Sequence, residues 1–438
     1  MPNALTIAGS DSVGGAGLQA DLKAFEAVGV HCCTVVTCVT SQNTKRVSSI
    51  FQLPIATIED QIDSVLEDVK LDAVKTGMLY SHEVAELVAR KLRRGVGPIV
   101  VDPVLAASTG ASLHSGGLVE AIITKLIPLS TVVTPNVPEA SRISGVDVKN
   151  EKTAKEAGYE ILEMGPQAVL IKGGHLEGPD SADYLFTGKK MVKLSTPRAS
   201  GDAHGTGCAL ASMIAAHLAL DQDIEDSVRN SKRMIYKAIL SRETVGKGMP
   251  CANPLAVLRI DAHKADMLEE LEQAGGELEK LMDADLIPEV GSNMGYALPG
   301  ALEADEIAAF DGRIVRTRRG ARIVGPARYG ASKHVARIVM AATCHDPNIR
   351  CALNLKYSES NLKACRDAKL STVSFQRARE PKGVSSMTWG VHIAIRKAGG
   401  VPDVIYDKGG LGKEPMIRLL GRNPEDVLRK LKSIKAKR

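Results

Sequence analysis

Along residues 1–258, short β-branched apolar runs alternate with longer stretches whose apolar positions recur every three or four residues. The runs Leu5–Gly9, Thr34–Thr40, Ala73–Gly77, Ile99–Pro103, Thr131–Thr134 and Ala168–Lys172 read as strands. Ala16–Val28, Ile58–Val69, Glu83–Arg94, Leu118–Leu129 and Thr153–Met164 read as amphipathic helices. Strands so uniformly apolar are buried on both faces, so the pattern predicts an α/β domain with a largely parallel sheet between two helical layers. Ligands of such a sheet sit at the carboxyl ends of its strands. Ser181–Pro197 reads as two further short strands, and a glycine-rich turn then leads into the apolar helix Cys208–Leu220 and the helix Ile224–Arg242.

The pattern changes near residue 260. Segment 259–282, with Asp266–Leu271 and Glu277–Met282 around Gly275-Gly276, reads as a charged helical connector between domains at 1–258 and 283–438. In the second domain Leu353–Lys356 and the alternating Val391–Arg396 read as strands, and Lys333–Met340 as a helix with one apolar face. A chain of 438 residues exceeds one ordinary core, and an apolar fraction of 44% can fill two.

Charge is divided unevenly. Residues 259–438 carry 31 Lys+Arg and 23 Asp+Glu, a net of +8, whereas residues 1–258 carry 25 and 28, a net of −3. Clustered positive charge suits an anionic partner, either nucleic acid or a phosphorylated metabolite. One Trp and 3% aromatics supply few stacking platforms, which favours phosphates over nucleic acid. The basic stretch Arg429–Arg438 reads as a solvated helix end. None of the eight cysteines forms a C-x-x-C pair, and Cys32 and Cys33 are adjacent, which suits a reducing cytoplasm better than a zinc knuckle or disulfide framework. No basic stretch and long apolar run follows Met1, and no 18 uncharged apolar residues are consecutive, so neither an export signal nor a membrane span is expected. A homo-oligomer is expected.

The candidate chemistry begins at Gly205-Thr206-Gly207-Cys208, which opens a helix. Backbone N–H groups of such a turn, with the helix dipole, can stabilise charge on a transferring phosphoryl group. A cysteine at a helix start should have a lowered thiol pKa, which makes Cys208 a candidate base. After the first strand, the glycines of Ala8-Gly9-Ser10-Asp11-Ser12-Val13-Gly14-Gly15-Ala16-Gly17 permit close backbone approach to a ligand, and the next helix carries Asp21. Their spacing is not the dinucleotide G-x-G-x-x-G pattern, so a Rossmann cofactor site is excluded. Asp102 and Asn136 lie at strand ends, with Glu139 three residues on, where acidic groups can hold Mg²⁺ near ATP phosphates.

Together with S-Q-N-T at 41–44, K-T-G-M-L at 75–79, V-V-D-P-V at 100–104, T-P-N-x-P-E-A at 134–140, I-K-G-G-H at 171–175 and H-G-T-G-C at 204–208, these motifs form an ordered set. The set resembles the hydroxymethylpyrimidine and hydroxymethylpyrimidine-phosphate kinases of the ribokinase-like superfamily, over about 250 residues. The resemblance implies a three-layer α/β/α fold and two successive phosphorylations of 4-amino-5-hydroxymethyl-2-methylpyrimidine by ATP and Mg²⁺. It implies that Asp21, Gln42 and the backbone around Gly9, Met78 and Val104 hold the pyrimidine. Lys172, Lys232, Asn136 and Thr206 would serve ATP, Asp102 and Glu139 the metal, Gly205 and Gly207 the anion hole, and Cys208 would be the base. Sugar kinases of the superfamily have aspartate as base, so Cys208 and Gln42 favour a pyrimidine. Pyridoxal kinase is the nearest confusable activity.

In the second domain, Arg313, Arg316, Arg318, Arg319, Arg322 and Arg328 precede His334. Arginine forks suit diphosphate and phosphate oxygens. The segments Ile287–Asn293, Phe310–Ile314 and Gly325–Arg337 look like the archaeal-type thiamine-phosphate synthase domain, across about 170 residues. That likeness implies a smaller α/β/α fold similar to class II aldolases, without a metal site, and implicates Arg313 and His334 in joining a thiazole phosphate to the pyrimidine with loss of diphosphate. Relatives of this domain also serve as ligand sensors joined to DNA-binding modules. No helix-turn-helix stretch is left over here and both Arg313 and His334 are present, which favours the enzyme.

Overall fold

Among the described residues of the first 258, nine strands form one sheet: β1 (Asn3–Asp11), β2 (His31–Gln42), β3 (Val47–Gln52), β4 (Ala73–Thr76), β5 (Ile99–Val101), β6 (Val132–Val133), β7 (Ala168–Ile171), β8 (Asp180–Thr187) and β9 (Lys190–Pro197). The computed structural model describes residues 1–93, 95–105, 116–176, 178, 180–199, 201–318, 320–377, 380, 386–410 and 412–438. Strand order is β3-β2-β1-β4-β5-β6-β7-β8-β9. The run from β2 through β7 is parallel, and β3, β8 and β9 add antiparallel edges.

The helices are α1 (Gly17–Val28), α2 (Ile55–Asp68), α3 (His82–Leu92), α4 (Leu118–Ala121), α5 (Val137–Ser144), α6 (Glu151–Glu163), α7 (Thr206–Ala219) and α8 (Ile224–Leu240). Alternation along the strands assigns them to two faces. Leu5, Ile7, Val74 and Val133 pack with α2 to α6, and Ala4, Ala73, Val100 and Val132 with α1, α7 and α8. This is the three-layer arrangement expected from strands that are apolar throughout. Leu118–Leu129, expected as one helix, is α4 followed by a π turn at Ile122–Leu126 and a 3₁₀ turn at Ile127–Leu129. Pro128 removes an N–H and crowds the preceding turn, so α geometry stops there.

The chain divides after Leu258 into two compact units. The second unit contains β10 (Met294–Ala297), β11 (Ile307–Phe310), β12 (Ile314–Thr317), β13 (Gly320–Ile323), β14 (Ala327–Tyr329), β15 (Cys351–Lys356), β16 (Thr372–Ser374), β17 (Val404–Asp407) and β18 (Met416–Gly421). Its main sheet runs β14-β11-β10-β15-β18-β17-β16, and β12-β13 is a separate hairpin. Main-sheet pairs are antiparallel apart from β16 with β17.

Helices α9 (Ala256–Ala262), α10 (Lys264–Leu281), α11 (Lys333–Thr343), α12 (Glu359–Asp367), α13 (Ser386–Ala398) and α14 (Pro424–Lys435) complete the chain. Leu271, Leu362 and Leu431 of α10, α12 and α14 pack on one sheet face with Leu353 and Leu419. Ile338 of α11 and Val391 of α13 pack on the other with Ala352 and Leu420.

Two expectations are corrected. Val391–Arg396 is helical, because Met387, Val391, Ala394 and Ile395 are buried at helical spacing and the local alternation is incidental. The stretch 259–282 is no free connector. Met267, Leu271, Ala274 and Leu278 of α10 belong to the core, and a Cβ on Gly275 would stand 2.7 Å from Ile323 Cδ1 and 2.9 Å from Phe310 Cζ. Among the described residues no helix is long and apolar enough to cross a membrane.

Candidate active site

The carboxyl ends of β1, β4, β5, β6 and β7 open into one cleft of about 870 Å³, whose walls include Gly9, Gln42, Met78, Asp102, Lys172 and Cys208. Val104, Asn136, Glu139, Lys232 and the turn Gly205-Thr206-Gly207 also face it. The sequence-derived residues of this half thus converge, with the exception of Asp21.

Gly205 precedes α7 at φ +82°, and a Cβ there would lie 1.7 Å from the Gly15 carbonyl oxygen, so the turn tolerates no side chain. No side chain caps α7, which leaves its first N–H groups and the positive end of its dipole facing the cleft. The expectation for Cys208 is corrected here. Burial, with smaller contributions from Asp21 and Asp102, outweighs Lys75 and the Gly17 N–H and pushes the thiol up to about 11.

Asp21 lies beneath the cleft and does not face it. It is fully buried, accepting hydrogen bonds from Thr6 Oγ1 at 2.7 Å, Ser212 Oγ at 2.8 Å and Lys75 Nζ at 2.8 Å. The kinase resemblance implies that Asp21 holds the pyrimidine, but the carboxylate is consumed in holding Lys75, an equally buried cation that does reach the cleft wall. Burial alone would lower the ammonium pKa, yet Asp21 reverses this and raises it, so Lys75 is a fixed charge. Asp21→Leu is expected to destabilise the first unit by about 3–5 kcal/mol by stranding that charge. Urea unfolding of the full chain measures it, and a loss within experimental error would show that the pair is dispensable.

Lys172 Nζ meets Asp102 Oδ1 at 2.7 Å, and Thr134 Oγ1 donates to the same oxygen at 3.1 Å. Burial disfavours the Lys172 cation, but Asp102 and Glu139 together raise its pKa. Asn136 and Glu139 form a capping box that starts α5: Asn136 Oδ1 accepts the Glu139 N–H at 2.9 Å, and Glu139 accepts the Asn136 N–H at 2.8 Å. Burial, then the repulsion of Asp102 against the attraction of Lys172, raises the Glu139 carboxyl to about 7. Lys232 pairs with Asp183 at 2.8 Å and donates to Ser181 Oγ at 3.2 Å.

On the opposite wall, β1 and β2 shift register between Ala8 and Ser10, which puts Gly9 where regular pairing is interrupted. The Met78 carbonyl accepts from Thr37 Oγ1 at 2.7 Å, and its side chain packs with Cys38 and Val104. Gln42 Nε2 lies 3.0 Å from His204 Nε2, which lies 3.2 Å from Asp11 Oδ2. His204 and Lys75 are site residues that spacing did not single out, although both stand inside the quoted motifs.

In the second unit Arg313 adopts φ +77° and donates to the Val290 carbonyl, in the loop that leads to β10. His334 is the second residue of α11, whose N-cap is Ser332. Partial desolvation and four arginines, Arg418, Arg313, Arg377 and Arg337, push its imidazole down to about 4. Two of these share one carboxylate: Arg377 Nε meets Asp407 Oδ1 at 2.5 Å, and the fully buried Arg418 meets Oδ2 at 2.8 Å. Arg418 Nε and the buried Ser292 hydroxyl have no hydrogen-bond partner among the described residues. Arg377 and Arg418 lie outside the cluster expected from sequence. Of that cluster, Arg328 pairs with Asp311 at 2.5 Å and Arg316 donates to the Ile287 carbonyl at 2.7 Å. Arg319 lies outside the described residues.

Comparison with known proteins agrees with this division. Residues 11–253 match the phosphomethylpyrimidine kinase family, and residues 270–433 the thiamine-phosphate synthase ThiN family. The bifunctional thiamine biosynthesis protein ThiDN of Methanocaldococcus jannaschii is 35% identical over 431 residues, covering 98% of this chain and 97% of that one. The hydroxymethylpyrimidine/phosphomethylpyrimidine kinase of Streptomyces coelicolor is 43% identical over 249 residues, 57% of this chain and 92% of that protein. Among solved structures, the ADP complex of Bacillus subtilis pyridoxal kinase is 32% identical, with a TM-score of 0.55 over 59% of this chain and 99% of that one. With both family matches in chain order and near-complete coverage of a two-domain relative, this chain belongs to the family of bifunctional thiamine biosynthesis proteins that join a phosphomethylpyrimidine kinase to a thiamine-phosphate synthase.

Proposed function

We propose that the first unit phosphorylates 4-amino-5-hydroxymethyl-2-methylpyrimidine and then its monophosphate, and that the second joins the resulting diphosphate to hydroxyethylthiazole phosphate. The observation that carries the first half is the uncapped start of α7, which brings Gly205, Gly207 and Cys208 to the cleft that also holds Lys172 and Lys75. A substrate oxygen attacks the ATP γ-phosphorus, the bond to the bridging oxygen breaks and ADP departs. The first N–H groups of α7 face the equatorial charge, Cys208 receives the hydroxyl proton, and Lys172, Lys232, Thr206 and Asn136 bind the nucleotide.

Asp102 and Glu139 fit a Mg²⁺ held mainly by phosphates and water. Glu139 is a buried carboxyl whose pKa is raised first by burial and then by Asp102, against the attraction of Lys172, so a cation bound there would favour its ionised form. Mg²⁺ when bound would neutralise phosphate charge.

In the second unit the thiazole nitrogen forms a bond to the pyrimidine methylene while the carbon–oxygen bond to diphosphate breaks. Arg313 meets the departing charge, and His334 orients the diphosphate near the arginines whose charge it feels.

Full-length protein given the pyrimidine alcohol, thiazole phosphate, ATP and Mg²⁺ is expected to form thiamine phosphate, detected by mass spectrometry. Folded protein that accumulates the pyrimidine diphosphate and yields no thiamine phosphate would leave the second unit as a binding domain.

A further inference from the structure

The Asp11–His204–Gln42 chain carries a further consequence for substrate recognition, which rests on the kinase reading above. Asp11 Oδ2 accepts the N–H groups of Gly15 at 3.0 Å and Ala16 at 2.8 Å, and Oδ1 accepts that of Val13 at 3.0 Å. Although burial opposes ionisation, the His204 contact and these backbone donors prevail and lower the Asp11 pKa. The group is therefore an ionised carboxylate that only accepts. His204 Nε2, 3.2 Å away, must carry the proton and donate.

A protonated Nε2 cannot also accept a hydrogen bond from the Gln42 amide at 3.0 Å. The oxygen and nitrogen of a side-chain amide are interchangeable in shape, and the hydrogen-bond network decides between them. The far end of the amide gives the same answer independently. Thr40 Oγ1 has one proton, which it donates to the Ser10 carbonyl at 2.9 Å, leaving it an acceptor toward the Gln42 amide atom at 3.3 Å. Opposed donors and opposed acceptors are avoided at both ends only when the Gln42 oxygen faces His204, sharing the single Nε2–H with Asp11, and its NH₂ faces Thr40.

We propose that His204 is a positioning residue that, anchored by Asp11, locks the Gln42 amide with its oxygen toward the imidazole, so that Gln42 presents an N–H donor to an acceptor nitrogen of the substrate's heteroaromatic ring. The surrounding backbone is built for this arrangement. A Cβ on Gly15 would lie 2.8 Å from His204 Cδ2 and 2.5 Å from Cys251 Sγ, so any side chain there would displace the imidazole. The His204 backbone is itself held on both sides, its N–H donating to Pro250 at 2.7 Å and its carbonyl accepting from Ala252 at 3.0 Å.

Gln42→Glu separates the two orientations, because glutamate keeps the shape and the oxygen toward His204 but has no N–H to offer. The pyrimidine KM of the full-length protein is expected to rise about tenfold or more, the scale of one lost hydrogen bond to a buried partner, while the ATP KM stays put. His204→Phe should raise the same KM and leave kcat less affected, and in a Gln42→Ala background it should add nothing further. Nitrogen-15 NMR should show the proton of neutral His204 on Nε2. Normal pyrimidine KM in Gln42→Glu, additive effects in the double variant, or the Nδ1–H tautomer would each overturn the assignment. Loss of all phosphorylation of any acceptor would instead count against the kinase reading.

Discussion

Cys208→Ala is expected to lower kinase turnover about 10²-fold or more while leaving the pyrimidine KM nearly unchanged, the usual result of removing a general base. The thiol is half-buried at the α7 start, and desolvation there holds it near 11 and not below its ordinary value. At pH 7 only about one molecule in 10⁴ then carries the thiolate. That scarcity is offset by the greater basicity of each thiolate, but it leaves a signature. The kcat/KM for phosphorylation should climb about tenfold per pH unit between pH 7 and 9, because the free-enzyme base is still being uncovered as pH rises. Cys208→Ser should not restore activity, since a hydroxyl ionises with still more difficulty. The profile and both variants can be followed as ADP release by the full-length protein without thiazole phosphate. A plateau below pH 8 would point to a base of ordinary acidity, and unchanged turnover in Cys208→Ala would remove the residue from the mechanism.

What was readable in advance follows from how each feature is encoded. Parallel strands buried on both faces leave uninterrupted apolar runs, so β4, β5 and β7 stood out, and with them Lys172 and Asp102 at or beyond their ends. The edge strand β3 is half exposed and carries no such run, so the apolar pattern does not mark it. Depth is what a motif does not encode. Asp21 follows a glycine loop on the correct helix, but only the packing of α1 against β1, β4 and α7 shows that its carboxylate meets Lys75, Thr6 and Ser212 and never the cleft. At Cys208 likewise the helix dipole is legible in the sequence and the desolvation that overrides it is not.

In the second unit the obstacle was different. Arg377 and Arg418 stand 41 residues apart in the chain, and β17, through Asp407, is what joins them. Arg418 occupies a position of β18 that otherwise belongs to the core, with its guanidinium 5.1 Å from the Phe375 ring centre. Nothing in M-I-R-L-L-G distinguishes a buried arginine from one turned to solvent. The visible arginine cluster, by contrast, is partly spent on local structure, as the Arg316 and Arg328 contacts show.

Arg313 can be tested without confusing chemistry with strain. Its φ of +77° is a conformation that glycine adopts freely and other residues adopt at a cost. Arg313→Gly should therefore leave the fold at least as stable, while removing the guanidinium expected to meet the leaving diphosphate. Losing such a contact typically costs about 3 kcal/mol in the transition state, or about 10²-fold in rate. The full-length variant supplied with all substrates should accumulate pyrimidine diphosphate from its intact kinase and form thiamine phosphate at least about 10²-fold more slowly. Lysine at this position should restore only part, because a point charge cannot reproduce the planar fork.

His334→Ala should slow the same step, and its pH dependence follows from the arginines around it. With its pKa held near 4, the ring is neutral in the free protein at pH 7. Proton donation by an imidazolium would make kcat/KM for joining rise about tenfold per unit as pH falls from 8 to 5, whereas a neutral ring that orients the diphosphate predicts a flat profile over that range. The flat profile is expected, since Arg313, Arg377, Arg418 and Arg337 already supply the positive charge that a leaving anion requires. A steep acid limb would make His334 the acid, and normal thiamine phosphate formation in Arg313→Gly would transfer the anion-handling role to Arg337 and the pair joined by Asp407.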